Sequence, residues 1–232
     1  GIDIAVNAGN FLYFAAFLPI IRNLNLLTEH QTKRLFKAII EELMRIHVGQ
    51  GSDISWHKGL ISIDHINEKD YLQMCAYKTG VLSRLAARMA AILAERSEEI
   101  EENLGRFAEA LGVAFQIQDD ILNIKPSKKW GKEIGDDISE GKITLLVLHT
   151  LRHANMKDKK RLVRILSMHT KDKRLIKEAI AIIEKYGSIE YAKEYAKDIV
   201  KNAWEKIESL LKEGKAKTKL EEFAKFLIER EI

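Results

Sequence analysis

Residues 107–124, FAEALGVAFQIQDDILNI, set two adjacent carboxylates, Asp119 and Asp120, in a stretch that leaves no wide polar face on a helix. Removing a bare carboxylate from water costs several kcal/mol, so such a pair needs a counter-charge or a shifted pKa. Helical spacing aligns Asp119 with Asn123 and Gln116 with Asp120, giving two rows of oxygen donors. Hard oxygens at a cavity edge suit Mg²⁺, which keeps some of its waters and is usually shared with substrate phosphates. A core arginine would answer the same charge, and the motif alone leaves both readings open. Upstream, Lys78 falls on the apolar stripe of Met74, Cys75, Val81, Leu82 and Leu85. It can snorkel to water, or with Thr79 and Gly80 it can receive an anion that approaches the backbone closely. Downstream, KKWGKEIGDDISEGK carries Lys132 and Lys142 around Asp136 and Asp137, either as a solvated loop or as a lid with cations for phosphate and acids for metal. Gln50, Asp53 and Trp56 in HVGQGSDISWH read as an ordinary turn, or as a third polar group at the same cleft.

Helices must position these residues. The 232 residues include 13 glycines, only 2 prolines and 46% hydrophobic side chains, few turn signals for the length, which argues for long helices and against an all-β fold. Thr28 with Gln31 has capping-box spacing and opens a helix to about residue 48, which Gly49 and Gly51 are expected to end. Asn67 caps a continuous helix to about 96, and Ser97 with Glu98 and Glu99 starts the one bearing the Asp pair. After a loop over 125–137, helices are expected at about 139–153, 157–168, 172–186 and 188–213. Gly187 stops the third of these, and a second capping box, Thr218 with Glu221, opens the terminal helix. The expectation is a single all-α domain over residues 1–232, a bundle of about eight helices without strands.

Composition also excludes function classes. The net charge of +4 arises from 38 basic and 34 acidic residues that are well mixed, too weak a bias for nucleic acid. One cysteine, Cys75, excludes an internal disulfide framework and Cys-rich zinc sites and makes a reducing cytoplasmic compartment the default. The apolar run 11–21 is shorter than the roughly 18 residues of a membrane span and contains Pro19, so no span is expected. No histidine has a Glu three residues before it, against a di-iron carboxylate bundle.

In order along the chain, GQGSDISW, YKTG, FQIQDDILN and GKEIGDDISEGKITL resemble the trans-isoprenyl diphosphate synthases, the polyprenyl synthetase family, archaeal-type geranylgeranyl and farnesyl diphosphate synthases most of all. The motifs cover about residues 4–150, and the rest fits by pattern. The resemblance implies antiparallel helices around a central cavity and Mg²⁺-dependent condensation of an allylic diphosphate with isopentenyl diphosphate, with three Mg²⁺ ions. It implies a homodimer as well. Carried over residue by residue, it assigns Asp119 and Asp120 to metal as the start of the second aspartate-rich motif. Lys78, Thr79 and Gln116 would face the allylic diphosphate and developing cation; Lys132 and Lys142 would contact the diphosphate, with Asp137 the acid of that loop.

Two departures stand out. Asn123 replaces the motif's third Asp, which puts it in doubt as a ligand, and Asn10 stands where an Asp is common. The first aspartate-rich motif and the basic isopentenyl-diphosphate site, expected upstream, are missing from the sequence, as though the chain started within the fold and lacked its first helices. A fragment of a longer enzyme is the favoured explanation. A non-catalytic partner subunit of a heteromeric synthase, or a terpene cyclase of the same fold, is the alternative.

Overall fold

The computed structural model of the chain describes residues 1–125 and 134–229. Among them there is no strand, and the all-α expectation holds. The helices are α1 (Ile2–Ala15), α2 (Leu18–Ile21), α3 (Glu29–His57), α4 (Glu68–Cys75), α5 (Val81–Leu93), α6 (Glu98–Ile124), α7 (Asp136–Ser139), α8 (Leu145–His153), α9 (Met156–Ser167), α10 (Lys173–Lys185), α11 (Ser188–Ile207) and α12 (Lys215–Glu229).

The long helices begin where side chains can satisfy free backbone N–H groups. Thr28 accepts from the Gln31 N–H at 3.1 Å while Gln31 accepts from the Thr28 N–H at 2.9 Å, and Asn67 with Asp70 closes the same box on α4. Ser97 and Thr144 cap α6 and α8. The proposed box at Thr218 does not form, because α12 already starts at Lys215 and the Thr218 hydroxyl donates to the Gly214 carbonyl within that turn.

Helix α6 is the axis of the core. Phe107, Leu111, Ala114, Ile117 and Ile121 are buried along it, with α5 packed on one side and α11 on another. Its absence of a polar face therefore reflects enclosure by neighbours. Between α3, α5 and α6 the contact is ionic. Glu42, at 1% exposure, accepts from Arg84 Nε at 3.0 Å, Arg88 Nη1 at 2.7 Å and Arg45 Nη1 at 3.0 Å. Glu101 completes the network by accepting from Arg88 Nε at 2.9 Å and from Arg34. The buried charges are mutually paired, which makes their geometry exacting.

Several expected boundaries move. Gly49 and Gly51 do not end a helix, and α3 runs through both to His57. A Cβ on Gly49 would lie 2.5 Å from the Lys78 amide nitrogen, so this glycine serves close packing rather than termination. The helix expected from Asn67 to Arg96 is interrupted by a π turn over Ala76–Gly80. The helix expected at 139–153 divides into α7 and α8, and the one expected to reach 213 stops at Ile207 and continues as a 3₁₀ turn over Glu208–Leu210. Trp56, grouped by sequence with a polar island, is buried in the core.

The N-terminal stretch Ile2–Leu26 has a mean hydropathy of 1.7, is long and apolar enough by length and composition to cross a membrane, and has none of that window buried. It exceeds the 11–21 run weighed from sequence. Pro19 near the start of α2 and a 3₁₀ turn at Leu24–Leu26 break it into short pieces.

Candidate active site

The π turn is the centre of the site. One extra residue in a helical turn shifts the register of the side chains that follow, and such insertions recur at functional positions. Here the turn is AYKTG, and it carries Lys78 and Thr79. Three glycines let neighbouring backbones close on it: Gly49 of α3, Gly80 itself, and Gly112 of α6, where a Cβ would stand 2.6 Å from the Gly80 Cα. No side chain at Gly49 or Gly112 could be accommodated without moving the turn.

Each polar group on the turn meets a partner from another helix. Lys78 Nζ donates to Asp53 Oδ2 of α3 at 2.5 Å, so Asp53 belongs to the cleft as its polar reading required. Thr79 Oγ1 donates to Gln116 Oε1 at 2.9 Å, and Gln116 Nε2 donates to Asp120 Oδ1 at 2.9 Å. The other Asp120 oxygen, Oδ2, accepts from the Tyr71 hydroxyl at 2.7 Å. The Gln116–Asp120 row foreseen from helical spacing is thus a hydrogen-bonded row. Tyr71, fully buried, escaped the sequence reading. Its signal was the stripe Tyr71–Met74–Cys75–Lys78, since a buried tyrosine hydroxyl needs a partner.

Burial pushes the Asp120 carboxyl well above the ordinary carboxylate range. The nearby Asp137 charge adds to the rise, and the bonds from Tyr71 and Gln116 with the Lys142 charge oppose it. Asp137 pairs with Lys142 Nζ at 2.7 Å, and Lys142 also reaches Glu140 at 2.9 Å. These bonds hold the Lys142 ammonium above its ordinary pKa against the effect of burial. Asp119 is half-buried one position before Asp120.

Asn123 has a different task from its neighbours. Its Oδ1 accepts the Asp137 N–H at 3.1 Å and its backbone carbonyl accepts the Gly135 N–H at 2.9 Å. Gly135 has φ +81°, a left-handed turn that glycine adopts without strain, and Asn123 fastens this turn so that Asp137 faces the end of α6. Lys132 lies outside the described residues. Of the remaining expected residues, Thr79, Gln116 and Asp120 form one hydrogen-bonded row, Lys78 pairs with Asp53 on the same turn as Thr79, and Asp137 pairs with Lys142.

The donor set fits a hard divalent cation. Asp119, Asp120 and Asp137 carry carboxylate oxygens, the atom type such an ion prefers. Among the described residues no three His, Cys, Asp or Glu side chains converge on a common point.

An all-α bundle with paired carboxylates, a clamped lysine and a threonine–glutamine pair at one cleft defines the isoprenoid synthase class of fold. The chain belongs to the polyprenyl synthetase family, whose sequence model matches residues 1–183. It is 35% identical over all 232 of its residues to a short chain isoprenyl diphosphate synthase of Methanothermobacter thermautotrophicus, spanning 68% of that protein. A second such synthase, from Methanocaldococcus jannaschii, is 37% identical over 195 residues, covering 83% of this chain and 56% of the relative. Among solved structures, geranylgeranyl pyrophosphate synthetase from Pyrococcus horikoshii is 36% identical with a TM-score of 0.78, over 88% of this chain and 61% of that one. The chain therefore spans between about half and two thirds of the length of these relatives.

Proposed function

We propose that this chain supplies the diphosphate-facing half of a prenyl transferase that joins an allylic diphosphate to isopentenyl diphosphate and releases a short-chain trans-polyprenyl diphosphate, geranylgeranyl or farnesyl. The observation that carries the reading is the connected row Thr79–Gln116–Asp120, set beside the Lys78–Asp53 pair on a π turn. The names of the relatives agree with it.

The reaction breaks the carbon–oxygen bond of the allylic diphosphate, forms a bond to the isopentenyl double bond, and loses a proton, which the departed diphosphate accepts. Lys78, Lys132 and Lys142 stabilise the leaving anion. Thr79 donates its hydroxyl hydrogen bond to Gln116, which leaves the hydroxyl lone pairs for the allylic cation, while the apolar walls of α5 and α6 keep water away. Asp119 and Asp120 would hold Mg²⁺, three ions in all with substrate present, which neutralises the diphosphate charge. Asn123 acts through the Gly135–Asp137 turn and is a positioning residue. The reading also requires a first aspartate-rich motif and an isopentenyl-diphosphate site, which the resemblance expects outside residues 1–232. The protein works as a cytoplasmic homodimer.

The test is product formation by the protein as its gene encodes it, with Mg²⁺, an allylic diphosphate and isopentenyl diphosphate. Asp119→Ala should lower turnover by orders of magnitude with an unchanged helical circular dichroism spectrum. Wild-type turnover in that variant removes the metal role, and product formed without isopentenyl diphosphate makes the protein a cyclase.

A further inference from the structure

Arginine is seldom buried, yet α5 buries two: Arg84 is 7% and Arg88 8% exposed, while Leu82 on the same helix is 55% exposed. Apolar burial alone would not select this register of α5; carboxylates supplied by α3 and α6 do. Arg84 donates from Nε to Glu42 at 3.0 Å, from Nη2 to both oxygens of Glu102 at 3.0 Å, and from Nη1 to Glu109 at 3.3 Å. Every nitrogen of the guanidinium is used, a demand that a planar fork of donors meets and an ammonium does not.

The same ionic group flanks the turn that carries Lys78 and Thr79. Before them, the Arg45 guanidinium stands 5.9 Å from the centre of the Tyr77 ring while pairing with Glu42. After them, Gly80 packs on Glu109, where a Cβ would lie 2.9 Å from the Glu109 carbonyl oxygen and 3.1 Å from its Cγ. A π turn holds one residue more than an α turn, so converting it to regular helix would rotate α5 by about 100° relative to α4. Such a rotation carries the Arg84 guanidinium off all three carboxylates. The ion pairs therefore form only while the turn over Ala76–Gly80 is wide, and their free energy in turn favours the wide turn.

We propose that Arg84 is a positioning residue: by drawing Glu42, Glu102 and Glu109 together it keeps this turn in its π form, and so sets where Lys78 meets the diphosphate and where Thr79 meets Gln116. The role in the reaction rests on the prenyl-transfer reading above. The hydrogen bonds of the Arg84 side chain go to acids, so its effect on the reaction passes through the turn.

The experiment is a double-mutant cycle in the full protein, reading kcat/KM for geranyl diphosphate with radiolabelled isopentenyl diphosphate, together with crystal structures of the wild type and the Arg84→Met variant. Arg84→Met keeps an unbranched apolar stem and leaves Glu42 paired with Arg88 and Arg45. It should lower kcat/KM about tenfold or more, and Lys78→Gln should then cost less than about threefold further, although costly in the wild type, because the lysine is already displaced. A role in stability alone would leave the two losses to multiply. In the crystal, residues 76–80 of Arg84→Met should form regular α-helix. Glu109→Gln, which removes the half-buried acid beside Gly80, should show the same non-additivity with Lys78→Gln and decides the matter if Arg84→Met fails to fold. Arg106→Gln, which breaks a pair with the same Glu102 from an exposed position, should leave kcat/KM as it was. Losses that multiply, or a π turn intact in folded Arg84→Met, would overturn the proposal. A wild type that makes no prenyl product would instead remove the underlying function, and the crystal comparison would still decide what holds the turn.

Discussion

His149 shows how much of this protein's charge behaviour depends on contacts made far along the chain. Its Nδ1 meets Ser188 Oγ at 2.9 Å, and its ring lies 4.1 Å from Tyr191 and 4.2 Å from His153 between centroids. Burial lowers its pKa, and the His153 and Arg152 charges lower it further against a smaller opposing effect of Glu68. The folded state thus favours neutral His149. Its contribution to stability is complete above the unfolded pKa of about 6.5 and is lost as pH falls from there through the depressed folded value. Thermal unfolding measured from about pH 7.5 to about pH 5.5 should show a smaller acid-side fall of Tm in His149→Gln than in the wild type. Parallel profiles would remove this residue as the source. At the candidate site the same accounting explains a residue the sequence left ambiguous: the Asn123 amide is spent on the Asp137 N–H, a bond that an ionised Asp could also accept, but only by adding a charge beside Asp120 and Asp137.

At the scale of elements, the helices were legible wherever a cap announced them. Thr28, Asn67 and Ser97 open α3, α4 and α6 as their types and spacing required. Glycine was misread, because a glycine needed for close approach and one that ends a helix look alike in sequence. Neither Gly49 nor Gly51 ends α3, and only the first serves close approach. Gly49 faces the backbone of Tyr77 and Lys78, whereas a Cβ on Gly51 would meet no heavy atom within 4 Å. Gly51→Ala should stabilise the protein by about 0.5–1 kcal/mol through helix propensity, and Gly49→Ala should destabilise it by about 1–3 kcal/mol through overpacking. Urea unfolding of the two variants checks the opposite signs. Gly49→Ala should also lower turnover, since the atoms it would strike carry Lys78 into the site. Equal stabilities for the two would show that the π turn is not held by this contact.

At the scale of the molecule, the apolar surface is unevenly placed. Phe11, Leu12 and Phe14 of α1 are exposed, and so is the i, i+4, i+8 stripe Ile40, Met44 and Val48 on α3. Clustered, exposed apolar side chains of this kind are a candidate contact surface. The homodimer proposed above would bury it, and a stable pair needs about 800 Å² from each partner. Phe11→Glu combined with Met44→Glu should convert the dimer to a monomer in sedimentation experiments. A wild-type protein that remains monomeric at all concentrations, or that partitions onto phospholipid vesicles, would assign the face to something else.

The sequence by itself determined the helical class, most helix starts, and the polar residues Lys78, Thr79, Gln116 and Asp120 as candidates for one cleft. Those properties depend on local spacing, caps and chemical type, which a linear chain displays. Only the tertiary structure decided that α3 passes unbroken through two glycines, that a π turn turns Lys78 and Thr79 toward Asp53 and Gln116, and that Tyr71 supports Asp120. Each of these depends on how closely the backbones of separate helices approach, a distance that sequence spacing along any one of them does not contain.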